Sequence, residues 1–256
     1  MNLTEEVRFE TVDGVAIVTI DRPQARNAIN GGVIEGLRQA WQKLEGDAAL
    51  RVGILTGAGD KAFCAGMDLK QAAATQLRVP SRDMFPVLGD VVQTSKPVIA
   101  AVNGVAYAGG FLFAQMCDLC VAAEHAQFAI TEAKVGRGMP WAAPLAHMLP
   151  QRVMMELLLT GAPMSAQRAY ELGYVNAVAP LPQLLDKALD MARTIAVNAP
   201  LTVKAARELV YLSTEMGRSA GLRAAYHLFE SVYLSEDAQE GPRAFAEKRA
   251  PRWSGR

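Results

Sequence analysis

The sequence is short of several things, and each shortage closes off a class of function. Cysteine occurs three times in 256 residues, at Cys64, Cys117 and Cys120. So low and odd a count cannot staple a small secreted domain, and it suits a reducing compartment. CDLC (Cys117–Cys120) has the spacing of half a zinc or redox site, but no second pair and no nearby histidine completes it, so buried thiols are expected. The histidines, His125, His147 and His227, are scattered without ligand spacing, and no metal is expected. A charge surplus is also missing: Lys+Arg and Asp+Glu stand at 26 each. That balance offers nothing to a nucleic acid or an acidic membrane, although a local basic patch for a small anion stays open. No apolar run approaches the roughly 18 residues of a membrane span. The start, MNLTEEVR, lacks the basic and apolar segments of a secretion signal. A cytoplasmic location follows as the expectation.

Familiar catalytic motifs are absent or misplaced. No Walker sequence occurs, and GAG at Gly57–Gly59 lacks the third glycine and the immediate helix of a dinucleotide fingerprint. GRSAG (Gly217–Gly221) matches the nucleophile-elbow pattern, but Glu208–Met216 before it reads as a helix where that motif needs a strand.

What is there is a large apolar fraction, 51%, against 20% charged residues, which suffices for a substantial core. Val7–Val12 and Val15–Ile20 alternate around a DG pair, a hairpin signal. Gly31–Glu45 has helical spacing, with Val33, Leu37, Ala40, Trp41 and Leu44 on one face. Short apolar strands are predicted over Arg51–Thr56, Lys96–Val102 and Asp118–Ala123, and helices over Met67–Thr75 and Gly109–Cys117. The stretch Gln76–Pro86, with two prolines, reads as an irregular and mobile surface segment. From about residue 141 the spacing is helical, over 145–159, 165–172, 181–197, 201–216, 218–234 and 237–248. The expected organisation is a βα core over 1–180 and a helical C-terminal region over 181–256.

Two glycine turns, FCAGMD (Phe63–Asp68) and AYAGGF (Ala106–Phe111), each follow a buried strand and precede a helix. Such a turn leaves backbone N–H groups unpaired at a helix start, where negative charge is favoured. By their residues alone, the turns read equally well as tight connections. Glu132 lies in an apolar stretch before a Gly/Pro-rich loop; a carboxylate so placed has a raised pKa and can move protons near neutrality, unless it only caps a helix or faces solvent.

The ensemble KAFCAGMDLK (61–70), KPVIAAVNGVAYAGG (96–110), CD at 117–118, AQF at 126–128, LTG at 159–161 and EKR at 247–249 closely resembles the crotonase superfamily, the enoyl-CoA hydratases and isomerases. The resemblance implies a crotonase (ClpP-like) spiral of ββα units with a helical C-terminal trimerisation region. It implies a homotrimer or dimer of trimers, an acyl-CoA thioester substrate, and no cofactor beyond the substrate's CoA moiety. By position, the backbone N–H groups of Met67 and Gly109 would form an oxyanion hole and Glu132 would carry protons. CoA would lie along Ala25, Asn27, Ala28, Ala65, Gly66 and Met67, largely by backbone contacts. Arg26, Lys61 or Lys70 would meet phosphates, with Lys248 reaching in from another subunit. Gly110 would let the main chain come close, and Leu112, Phe111, Trp141 and Phe85 would line the acyl pocket.

One departure matters. Family hydratases use two glutamates, and the first falls at Leu112. Members with a single glutamate include isomerases that move a double bond, and the loop GRGMPW (Gly136–Trp141) is similar to theirs. The ending SEDAQEGPRAFAEKR (Ser235–Arg249) instead resembles carnitinyl-CoA dehydratase-like members. Three readings follow: a double-bond isomerase, a hydratase or dehydratase with another water-activating group, and a non-catalytic acyl-CoA-binding homologue. Arg137, in a loop that would face the acyl group, has no assigned role.

Overall fold

The DG pair turns the chain as its residue types require. In the computed structural model, which describes residues 1–74, 76 and 78–256, Asp13 and Gly14 take φ of 49° and 76°. Two successive positive φ angles match the right-handed twist of the strands they join. β1 (Asn2–Thr4), β2 (Val7–Val12) and β3 (Val15–Ile20) form an antiparallel edge, with Val7 opposite Ile20 and Val12 opposite Val15. α1 (Gly31–Gly46) starts where the Asn30 side chain accepts the Val33 N–H at 2.9 Å, and it buries the predicted face. β4 (Val52–Gly57), β5 (Ala62–Cys64) and α2 (Leu69–Ala74) follow. The expected helix end at Thr75 lies outside the described residues, as does Leu77 in the expected irregular segment.

β6 (Val98–Val102), β7 (Val105–Tyr107), α3 (Gly109–Gln115), β8 (Leu119–Ala123) and β9 (Gln127–Ala129) complete the core region. Beyond it lie α4 (Gln151–Thr160), β10 (Met164–Ser165), α5 (Ala166–Glu171), β11 (Ala177–Ala179), α6 (Leu184–Ala196), α7 (Pro200–Glu215), α8 (Arg218–Tyr233) and α9 (Asp237–Ala246). Two expectations change here. The single helix over 145–159 is two pieces, a 3-10 stretch Pro140–His147 and then α4, because Pro150 is extended (ψ 141°) and offers no N–H to continue a ladder. The region expected to be wholly helical also holds β10 and β11, whose two or three residues are too few to show alternation.

The strands form two sheets. The larger runs β1-β2-β3-β4-β6-β8-β11, parallel from β3 onward, and the smaller runs β10-β9-β7-β5, with β9, β7 and β5 parallel. α6 packs on β3, β4, β6 and β8 through Leu184, Ala188, Leu189 and Ala192. Phe9, Trp41, Phe63, Phe111, Phe113 and Phe128 are the bulkiest fully buried side chains of the core. α8 buries no residue, and Leu222, Tyr226 and Tyr233 on it are exposed. No helix of the described residues is long and apolar enough to cross a membrane.

Asp118 joins the sheet to α7. Its carboxylate accepts the Val98 N–H at 2.8 Å, the Arg207 Nε at 2.7 Å and the Tyr211 hydroxyl at 2.7 Å. The Arg207 guanidinium also donates to the Thr94 carbonyl at 2.9 Å. Both side chains of this ion pair are mostly buried, at 12% and 15% exposed. Removing the acid strands a desolvated guanidinium and an amide together. Asp118→Ala should therefore cost about 3 kcal/mol in a denaturant titration, well beyond what a surface pair contributes.

Candidate active site

Three parallel strands of the small sheet end side by side. Cys64 pairs with Ala106 across β5 and β7, and Tyr107 with Ala129 across β7 and β9. Just past their carboxyl ends come Ala65–Asp68, Ala108–Gly110 and Ile130–Glu132. The middle turn is strained: Ala108 sits at φ 50°, ψ −120°, a region an L-residue rarely visits. It is held by its N–H on the Ala129 carbonyl (2.9 Å) and by its carbonyl, which accepts the Leu112 N–H at 3.1 Å.

The first two turns touch. A side-chain carbon at Gly66 (φ 93°) would stand 3.4 Å from the Gly109 nitrogen, and one at Gly109 would stand 3.8 Å from the Met67 nitrogen. Met67 and Gly109 thus present neighbouring amides, and among the described residues neither donates to a protein acceptor. Gly110 is required by close approach, since a Cβ there would lie 1.9 Å from the Cys64 carbonyl oxygen.

Glu132 opens a 3-10 turn, Glu132–Val135, and is 7% exposed. Its Oε1 accepts the Trp141 indole N–H at 2.9 Å, while Oε2 is buried with no partner. Burial pushes the carboxyl above its ordinary 4.5, and the indole and nearby backbone groups oppose that shift only in part. Leu112 is 3% exposed on α3 and brings no second carboxylate. The Phe111 ring packs 6.2 Å from that of Trp141, and Phe85 packs 6.4 Å from Phe113. Trp141 does more than line a wall: its N–H bonds the acid, and its carbonyl accepts the Gln115 Nε2 at 2.6 Å. A half-buried tryptophan needs an acceptor for its N–H, which was the available signal; nothing in the sequence pointed to Gln115.

The loop after β3 runs beside the turn after β5. Ala65 N–H donates to the Arg26 carbonyl (3.0 Å), Ile29 N–H to Gly66 (2.8 Å) and Asp68 N–H to Ile29 (2.9 Å), which lays Ala25, Arg26 and Ala28 beside Ala65, Gly66 and Met67. Asn27 is different. It is fully buried, its Oδ1 accepting the Arg22 N–H and its Nδ2 donating to the Ala58 and Ala62 carbonyls, so its side chain braces the loop. Arg22 ties this loop to the next turn, through the Ala28 carbonyl (2.6 Å) and the Asp68 carboxylate (3.4 Å). A cleft beside it, about 210 Å³, is lined by Arg26 and Lys61 among others. Lys70 is exposed at the start of α2, and Lys248, exposed beyond α9, is joined to this cluster by no bond among the described residues. Arg137 reaches the Arg78 carbonyl at 3.4 Å and donates its own N–H to the Glu132 carbonyl at 3.0 Å, so it links the Glu132 turn to the segment after α2.

All three cysteines are buried and free, and burial drives the Cys64 thiol up to about 12. Among the described residues no group of three His, Cys, Asp or Glu side chains is arranged to hold a metal ion.

Comparison with known proteins gives a consistent set of relatives. The family model described as enoyl-CoA hydratase/isomerase matches residues 10–256. A carnitinyl-CoA dehydratase of Salmonella typhi is 41% identical over 264 residues, spanning 99% of this chain and 100% of the relative. One of Proteus mirabilis is 37% identical over the same shares. The crystal structure of an enoyl-CoA hydratase from Mycobacterium tuberculosis H37Rv superposes with a TM-score of 0.90 at 40% identity, covering 98% of this chain and 99% of that one. That of an enoyl-CoA hydratase from Bacillus anthracis gives 0.89 at 31% identity, covering 98% and 100%.

The buried acid has a stability signature. With its folded pKa above 4.5, Glu132 binds its proton more tightly in the folded chain than in the unfolded one. As pH rises from 4.5 through the raised value, ionisation costs the folded state and not the unfolded one. Thermal melts should show Glu132→Gln gaining on wild type with rising pH across that window, and a constant difference below it.

Proposed function

Because the chain belongs to the enoyl-CoA hydratase/isomerase family, we propose that it acts on an acyl-CoA thioester and shifts a carbon–carbon double bond with Glu132 as its one proton carrier. The observation that carries this reading is the buried Glu132 carboxylate with one oxygen unpartnered, together with a buried leucine at position 112, where family hydratases have a second glutamate. One carboxylate suffices for an isomerisation, since the proton it removes is the proton it returns.

In this scheme the thioester carbonyl lies against the Met67 and Gly109 amides. Glu132 Oε2 takes a proton from C2 of a 3-enoyl-CoA, and the bond's electron pair spreads into a dienolate whose charge gathers on the thioester oxygen. The same oxygen of Glu132 then delivers the proton to C4, leaving the double bond between C2 and C3. Each amide aimed at the developing charge contributes about 3 kcal/mol. A carboxylate whose proton affinity is raised above the ordinary value is a stronger base toward C2 than a free one. Arg26 and Lys61, flanking the cleft, are the cations for the CoA phosphates in this reading, with Lys70 as a further candidate and Lys248 supplied by a neighbouring subunit. The bare face of α8 is consistent with a homotrimer or a dimer of trimers.

A second reading, hydration or dehydration, has its own support: the relatives at 37–41% identity are carnitinyl-CoA dehydratases. There Glu132 would move one proton and a group other than residue 112 would manage water. Offering the enzyme 3-hexenoyl-CoA and crotonyl-CoA separates the two. A shift of the first supports isomerisation, and hydration of the second without any shift moves the assignment to the lyase reading. In deuterated water Glu132→Gln should lose C2 exchange by about 10³-fold while its Kd for a CoA ester moves by less than about threefold; exchange at the wild-type rate would remove Glu132 from the mechanism.

A further inference from the structure

We infer that Trp141 is a positioning residue for Glu132, and that Gln115 in turn holds Trp141, so that the helix beginning at Gly109 also sets the orientation of the acid. The inference rests on the reading of Glu132 as the proton carrier and adds what makes one of its two oxygens the reacting one.

A free carboxylate has two equivalent oxygens and rotates about its terminal bond. Here the equivalence is broken. The indole N–H occupies Oε1 at 2.9 Å, and Oε2 is left alone in a buried place. Trp141 reaches Glu132 from nine residues away because Gly136 turns the chain back at φ 65°, with the Arg137 N–H on the Glu132 carbonyl. The tryptophan is fixed at two further points: its ring lies against Phe111, and its carbonyl receives the Gln115 amide at 2.6 Å. Gln115 is itself 5% exposed, and its Oε1 has no partner, so its one bond to this loop goes to the Trp141 backbone. Phe111 and Gln115 are both on α3, whose first residue supplies the Gly109 amide. One short helix therefore carries the amide at its start, the ring that braces the tryptophan, and the amide that anchors the loop. Burial, the indole N–H and the backbone of Glu132 and Thr131 govern the titration of Glu132, and no charged side chain among the described residues enters.

The test is Trp141→Phe, which keeps a ring and removes the N–H, assayed on whichever of 3-hexenoyl-CoA and crotonyl-CoA is turned over. The expected result is a fall in kcat of about 10- to 100-fold with KM within about threefold, since a misoriented acid harms the chemistry more than binding. The acidic limb of kcat/KM should move up, because the carboxylate loses a donor that favours its charged form. Trp141→His, which still offers a ring N–H, should recover part of the loss. Gln115→Met should act in the same direction and add nothing further to Trp141→Phe, as expected of residues in one chain of contacts. Melting across pH gives the same sign without turnover: the Glu132 penalty still begins at 4.5, which the unfolded chain sets, but should extend to higher pH and grow larger in Trp141→Phe, judged against the double variant that also carries Glu132→Gln. Wild-type kcat with an unmoved acidic limb in Trp141→Phe overturns the inference. If that variant melts below the assay temperature, Gln115→Met decides in its place. A fully active Glu132→Gln would overturn both this inference and the proton-carrier reading, whereas an inactive Glu132→Gln beside an unperturbed Trp141→Phe removes this inference alone.

Discussion

The start of α3 lies against the end of β5 only because residue 110 has no side chain. A Cβ at that position would meet the Cys64 carbonyl oxygen at 1.9 Å, a separation no repacking relieves because the opposing atom is backbone. With the glycine in place the two turns nest, and the amides of Met67 and Gly109 become neighbours. The strain at Ala108 belongs to the same arrangement. Its φ of 50° is stabilised by bonds on both sides, to β9 through its N–H and into α3 through its carbonyl. A turn so determined by its surroundings is held in one arrangement, the condition that the proposed role of its amide requires.

The third strand end adds a carboxylate in a different balance. Glu132 is buried and bonded to Trp141 of the Pro140–His147 turn, and desolvation outweighs the indole hydrogen bond in setting its proton affinity. A second acid on α3 would have changed that balance through like-charge repulsion and drawn water inward. Leu112 does neither. The site therefore has one titratable oxygen and a leucine on α3, and that pairing is the ground on which the isomerase reading is proposed.

Much of this was legible in the sequence, and what was missed has identifiable causes. The hairpin, α1 and the buried strands declared themselves because DG turns, amphipathic spacing and apolar runs are local signals. The two glycine turns and Glu132 could be singled out by residue type, although only the resemblance to a family linked them into one site. β5, β7 and β9, the strands that bring the site together, were invisible as strands, being three residues each and paired over long separations. The break at Pro150 could have been read from the proline itself. The Gln115–Trp141–Glu132 chain could not, because its members lie 9 and 26 residues apart and meet through one backbone carbonyl. Nor could the sequence show that the Asn27 side chain bonds to Arg22, Ala58 and Ala62 inside the protein, since those partners lie on separate turns.

Cys64 stands one residue before Ala65, at the end of the strand that leads to the Met67 amide. A thiolate there would be a hazard to a thioester, since attack on the acyl carbon would expel CoA and leave the protein acylated. Burial keeps this sulfur protonated up to about pH 12, and Cys117 and Cys120 are likewise enclosed. The fold thus keeps the sulfur at the end of this strand in the protonated form, which does not react.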